Sequence, residues 1–82
     1  MKVWEIEHSG HQIRVENSWS GSEKLIVDGE LQDERIGPCI RSRLYGQIKS
    51  GSSQGENIKV SFGGWFSIGC RIFIDDKLVL SQ

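Results

Sequence analysis

The chain has 82 residues, enough for one domain (1–82) with a thin core, since roughly 60–65% of the unfolded surface is buried at this size. Ten basic and eleven acidic residues leave a formal net charge of −1, which excludes a nucleic-acid binder relying on a broad basic field and a polybasic membrane anchor. No apolar run approaches the ~20 residues of a membrane-spanning helix.

The N-terminal residues alternate rather than forming the apolar stretch of a signal peptide. A cytoplasmic setting is therefore expected, in which Cys39 and Cys70 stay reduced. Helix periodicity with caps is nearly absent, and period-2 alternation runs through the chain. Val3–His8 places Trp4 and Ile6 on one face and Glu5 and Glu7 on the other. Ser9-Gly10 reads as a two-residue reversal, after which Gln12–Asn17 turns Ile13 and Val15 inward. Ser18-Trp19-Ser20-Gly21-Ser22 is a polar loop carrying one large aromatic.

Lys24–Asp28 and Glu30–Ile36 form a hairpin around Asp28-Gly29, a pair that tolerates the positive φ of a tight turn. The second arm is polar (Gln32-Asp33-Glu34-Arg35) and reads as an edge strand whose charges discourage pairing with another chain. Gly37-Pro38 breaks the pattern. Arg41–Lys49 follows, with Leu44 and Ile48 on one side and Arg43, Tyr45 and Gln47 on the other. After a Ser/Gly loop, Asn57–Phe62 alternates Ile58, Val60 and Phe62. Gly63-Gly64 permits a bend or bulge. Phe66–Ile74 is the most apolar strand and the expected centre of a sheet. The turn Asp75-Asp76 echoes Asp28-Gly29 47 positions later, with Asp visiting left-handed geometry at a cost that Gly avoids. Lys77–Ser81 closes the fold with Leu78 and Leu80. About eight short antiparallel strands joined by hairpins, each with one apolar face, predict an all-β fold, an antiparallel β-sandwich.

The chemistry-bearing residues are sparse. His8 and His11 flank a turn, but a zinc site wants four ligands and the partners are not spaced to supply them; they read as surface histidines. Cys39 lacks a neighbouring base to activate it, and Cys70 lies on an apolar strand face. The turn acids Asp28, Asp75 and Asp76 lack the ligand spacing of an EF-hand. Glu5, Glu7, Glu16, Asp33 and Glu34 fall on solvent faces rather than around a cleft. No enzyme, metal or cofactor is expected.

The aromatics carry more. Trp4 belongs to the core. Trp19 and Trp65 lie in or beside glycine-containing loops, where they either cap the ends of the core or form an exposed hot spot. Trp19, Tyr45 and Trp65 with Arg41 and Arg43 are the candidate binding residues. A protein partner is expected, with carbohydrate binding through the loop tryptophans as the alternative and small-molecule or sugar ligands disfavoured. Nucleic acid and membrane are not expected partners. The assembly expected is a monomer or weak homodimer.

Val3-Trp4-Glu5-Ile6, His11-Gln12-Ile13-Arg14-Val15-Glu16, the Ser20-Gly21 loop and Lys24-Leu25-Ile26-Val27-Asp28-Gly29-Glu30 resemble the opening of a Fas apoptotic inhibitory molecule domain. Asn57-Ile58-Lys59-Val60, Phe66-Ser67-Ile68-Gly69 and Ile74-Asp75-Asp76-Lys77-Leu78 are similar to that family's last hairpin. The resemblance implies a β-sandwich with a protein-interaction role and no catalytic residues. The resemblance covers nearly the whole chain as one copy of a domain that the family carries in tandem. Its middle strands and Pro38-Cys39 do not follow the family pattern, and an apoptosis role is not carried over.

Overall fold

A computed structural model describes residues 2–18, 21–36, 42–52, 54–63 and 69–82. The strands are β1 (Lys2–His8), β2 (His11–Asn17), β3 (Ser22–Val27), β4 (Glu30–Ile36), β5 (Ser42–Gln47), β6 (Asn57–Gly63), β7 (Gly69–Ile74) and β8 (Lys77–Ser81). They form two antiparallel four-stranded sheets, β1-β2-β3-β4 and β5-β6-β7-β8. No helix occurs among the described residues.

Three two-residue turns join the hairpins, each with positive φ at both central residues: Ser9-Gly10, Asp28-Gly29 and Asp75-Asp76. That geometry matches the right-handed twist of the flanking strands. Asp75 and Asp76 hold φ of 49° and 66° without glycine's freedom, so the second acidic turn is the more strained of the pair. In compensation, an Asp75 carboxylate oxygen accepts the backbone N–H of Asn57 at 2.8 Å.

Both sheets contribute to one core. Ile13, Val15, Leu25 and Val27 face Leu44, Ile58, Val60, Phe62, Cys70, Ile72 and Ile74. Trp4 bridges the layers, its ring centroid 5.8 Å from that of Phe62. Ile48 lies beyond the end of β5 and is still fully buried, continuing the Leu44 face as the alternation predicts. The strand expected to begin at Phe66 is described only from Gly69, and β7 is an inner strand of its sheet.

Two bulges alter what alternation predicts. Opposite Phe73 and Ile72, β8 carries an extra residue, Val79: Ile72 pairs with Leu80 and Phe73 with Leu78. The extra residue inverts the facing of the strand around it. Leu80 packs against the core, whereas Leu78 is 54% exposed; the expectation that both close the core fails for Leu78.

The second bulge sits in β4, where Leu25 pairs with Asp33 and Ile26 with Leu31, leaving Gln32 as the extra residue. Consecutive side chains then act toward β5. The Gln32 amide donates to the Gln47 carbonyl at 2.8 Å and accepts the Gln47 N–H at 2.7 Å, imitating a strand partner. Asp33 accepts the Tyr45 N–H at 2.8 Å, and Lys49 reaches Glu30 at 2.9 Å. The polar run of β4 thus seals two sheet edges against each other, a different task from repelling foreign strands. Gly46 is required at this seam. A Cβ there would lie 2.7 Å from Gln32 Oε1 and 2.8 Å from a Leu25 methyl.

Candidate functional site: the outer face of the second sheet

Strand register decides which exposed side chains meet. On the solvent side of the second sheet, Tyr45 pairs with Lys59, Lys59 with Phe73 and Phe73 with Leu78. One row therefore crosses all four strands. The neighbouring row runs Arg43, Ser61, Arg71 and Ser81. Tyr45 is 56% exposed, and Arg43 and Arg71 are exposed beside it.

The charges of this face are segregated along the strands. Arg43, Lys59 and Arg71 make no ion pair among the described residues. The Lys59 ammonium instead lies 4.7 Å from the centroid of the Phe73 ring, a cation–π contact that covers one ring face. A shallow depression of about 400 Å³ lies beside Tyr45, Asn57 and Lys59 and is bounded at one end by Asp75 and Asp76. The face thus grades along the strands from guanidinium groups, through an aromatic row, to an acidic turn.

Of the residues expected to bind, Tyr45 and Arg43 fall together on this face, two positions apart on β5. Trp19, Trp65 and Arg41 lie outside the described residues, as do Pro38 and Cys39. Lys59, Arg71 and Phe73 sit at outward positions of alternating strands, but only the register shows that they align. Leu78, expected in the core, joins their row through the β8 bulge.

The other candidates resolve differently. The histidines are register partners across the β1–β2 turn but not a surface pair. His11 is buried at 8% exposure, correcting the surface reading, because its ring is held under the β3–β4 turn. Its Nδ1–H donates to Asp28 Oδ2 at 2.6 Å, while Asp28 Oδ1 accepts the Gln12 N–H at 2.9 Å. The hydrogen bond from His11, then that from Gln12, holds the Asp28 carboxyl below its ordinary pKa. Gly51, at φ of 81°, leaves room for the ring, since a Cβ there would lie 3.1 Å from His11 Nε2. His8 donates to Glu56 at 3.1 Å, tying the first hairpin to the loop before β6. No grouping able to hold a metal ion occurs among the described residues.

A second depression, of about 610 Å³, is lined by Glu5, Glu7, Gln12 and Asp28. Its polar groups are largely engaged with one another: Glu5 accepts from Gln12 and Arg14, and Asp28 from His11 and Gln12. Cys70 is a free, buried thiol. Burial, then the nearby Glu23 carboxylate, pushes its pKa up to about 12, so it stays protonated and a poor nucleophile. No family model matches the chain, and the searches of curated proteins and of solved structures find no significant match.

Proposed function

We propose that this chain is a non-enzymatic binding module that engages a protein partner through the outer face of its second sheet. One observation carries the reading: Arg43, Lys59 and Arg71 share an open face with Tyr45 and have no anionic partner among the described residues. Cations clustered without ion-pair partners repel one another, whereas Arg and Tyr are enriched where interfaces concentrate binding energy. The protonated, buried Cys70 and the carboxylate-bound histidines support a non-catalytic role. The likeness of the hairpins to the Fas apoptotic inhibitory molecule family supports an interaction role of the same kind.

The test is selection from a displayed random peptide library on the wild-type chain, with counter-screening on Arg43→Glu/Arg71→Glu. Both positions are exposed, so the variant should fold normally. The reading predicts enriched ligands that bind the wild type and lose the variant. Ligands that bind both equally, or a library that yields none, would overturn it.

A further inference from the structure

We infer that the outer face of the second sheet takes an acidic polypeptide segment with two carboxylates three residues apart, one for Arg43 and one for Arg71. This rests on the reading of that face as the binding surface and adds the chemistry of its occupant.

Charge supplies the first argument. Arg43 and Arg71 stand in one row with only Ser61 between them. A guanidinium offers paired donors that fit a carboxylate in a bidentate fork. In a second copy, Glu5 and Glu16 are already held by Arg14 and Glu34 by Lys24.

Spacing supplies the second. β5 and β7 lie two strand spacings apart, about 9.6 Å at the usual separation. A segment in the polyproline II conformation has three residues per turn and rises about 3.1 Å per residue, which puts positions i and i+3 on one side about 9 Å apart. A β-strand would turn those two positions to opposite sides. Laid along the arginine row, such a segment also brings an apolar side chain beside Tyr45, in the manner of aromatic grooves that read extended chains.

The aromatic row argues against single-stranded nucleic acid. Base binding needs bare rings in succession, and Lys59 covers Phe73. Tyr45 is the one exposed aromatic ring on the face among the described residues.

The experiment titrates the ¹⁵N-labelled chain with acetyl-Pro-Glu-Pro-Leu-Glu-Pro-amide. Parallel titrations use the same peptide with Gln for both Glu, an isomer with the two Glu adjacent, and an eight-base oligothymidylate. The expected result is saturable shifts confined to amides 43–45, 59–61 and 71–73. Binding should weaken about fivefold or more for the Gln peptide, for the adjacent-Glu isomer and for the Arg71→Gln variant.

Oligothymidylate binding on this face without peptide binding would overturn the inference and leave the binding-face reading standing. Equal binding of the spaced and adjacent peptides would overturn the spacing. Shifts on the first sheet would overturn both the inference and the reading it rests on. Silence from every ligand would overturn the inference alone, since the reading itself is decided by the library selection.

Discussion

The two sheets share a core and differ outside it. On the outer face of the first sheet, Arg14 is forked between Glu5 at 2.6 Å and Glu16 at 2.7 Å, and Lys24 approaches Glu34 at 3.7 Å. Both of these cations therefore have acids of their own sheet. On the second sheet Arg43, Lys59 and Arg71 make no ion pair among the described residues, with a ring, serines and the Asp75-Asp76 turn nearby. Exposed ion pairs add little to stability, with a median of about 0–1 kcal/mol, so neither pattern decides whether the chain folds. The difference shows where the surface is free to serve something else. Among the described residues, the paired cations of this set lie on the outer face of the first sheet and the unpaired ones on that of the second.

The largest expected effect erases the comparison altogether. Ile72 is fully buried in the shared core, and Ile72→Ala should cost about 2–5 kcal/mol. Because the inner faces belong to one cluster, urea denaturation should show both sheets lost in a single transition; separate transitions would mean that the sheets are independent. A smaller effect is expected at the seam. Gly46→Ala drives a methyl into Gln32 and Leu25 and should cost about 1–3 kcal/mol, measured the same way.

Acid should act on the Asp28 turn of the first sheet. The Asp28 carboxyl is held below its ordinary pKa by His11 and Gln12. A group depressed in the folded state contributes stability that is present above its unfolded pKa and lost as pH falls through its folded one. The β1–β2 and β3–β4 turns should therefore loosen below the ordinary carboxylate range, and Asp28→Asn should flatten the acid limb of the stability–pH profile. An unchanged acid limb would contradict the His11–Asp28 contact.

The smallest effects sharpen the contrast between the outer faces. Arg14→Gln breaks a fork and should lower the melting temperature slightly at low salt and less at high salt. Arg71→Gln should stay within about 0.5 kcal/mol of the wild type. Thermal melts at low and high salt would separate the two.

Much of the frame was legible in the sequence, because alternation and turn chemistry are local. Ile13 and Val15, Ile58, Val60 and Phe62, and Cys70, Ile72 and Ile74 are buried where period-2 reading put them. Asp28-Gly29 and Asp75-Asp76 turn as their residue types suggested. Bulges were not legible, since they arise from how two strands pair. One of them sends Leu78 outward, and the other frees Gln32 and Asp33 to hold β5.

The candidate site was half legible for the same reason. Arg43 and Tyr45 lie on one strand, where spacing alone puts them on one face. Lys59, Arg71 and Phe73 come from other strands and join them only through register. His11 shows the converse limit. Its burial depends on a distant turn and on a loop from the other sheet.

The most direct test of the central claim compares charge reversals on the two faces against a peptide selected by the wild-type chain. Arg43→Glu/Arg71→Glu should reduce affinity by about tenfold or more, while Glu7→Lys/Glu34→Lys on the first sheet should leave it within about twofold. Loss of binding from the first-sheet variant with retention by the second-sheet variant would contradict the account.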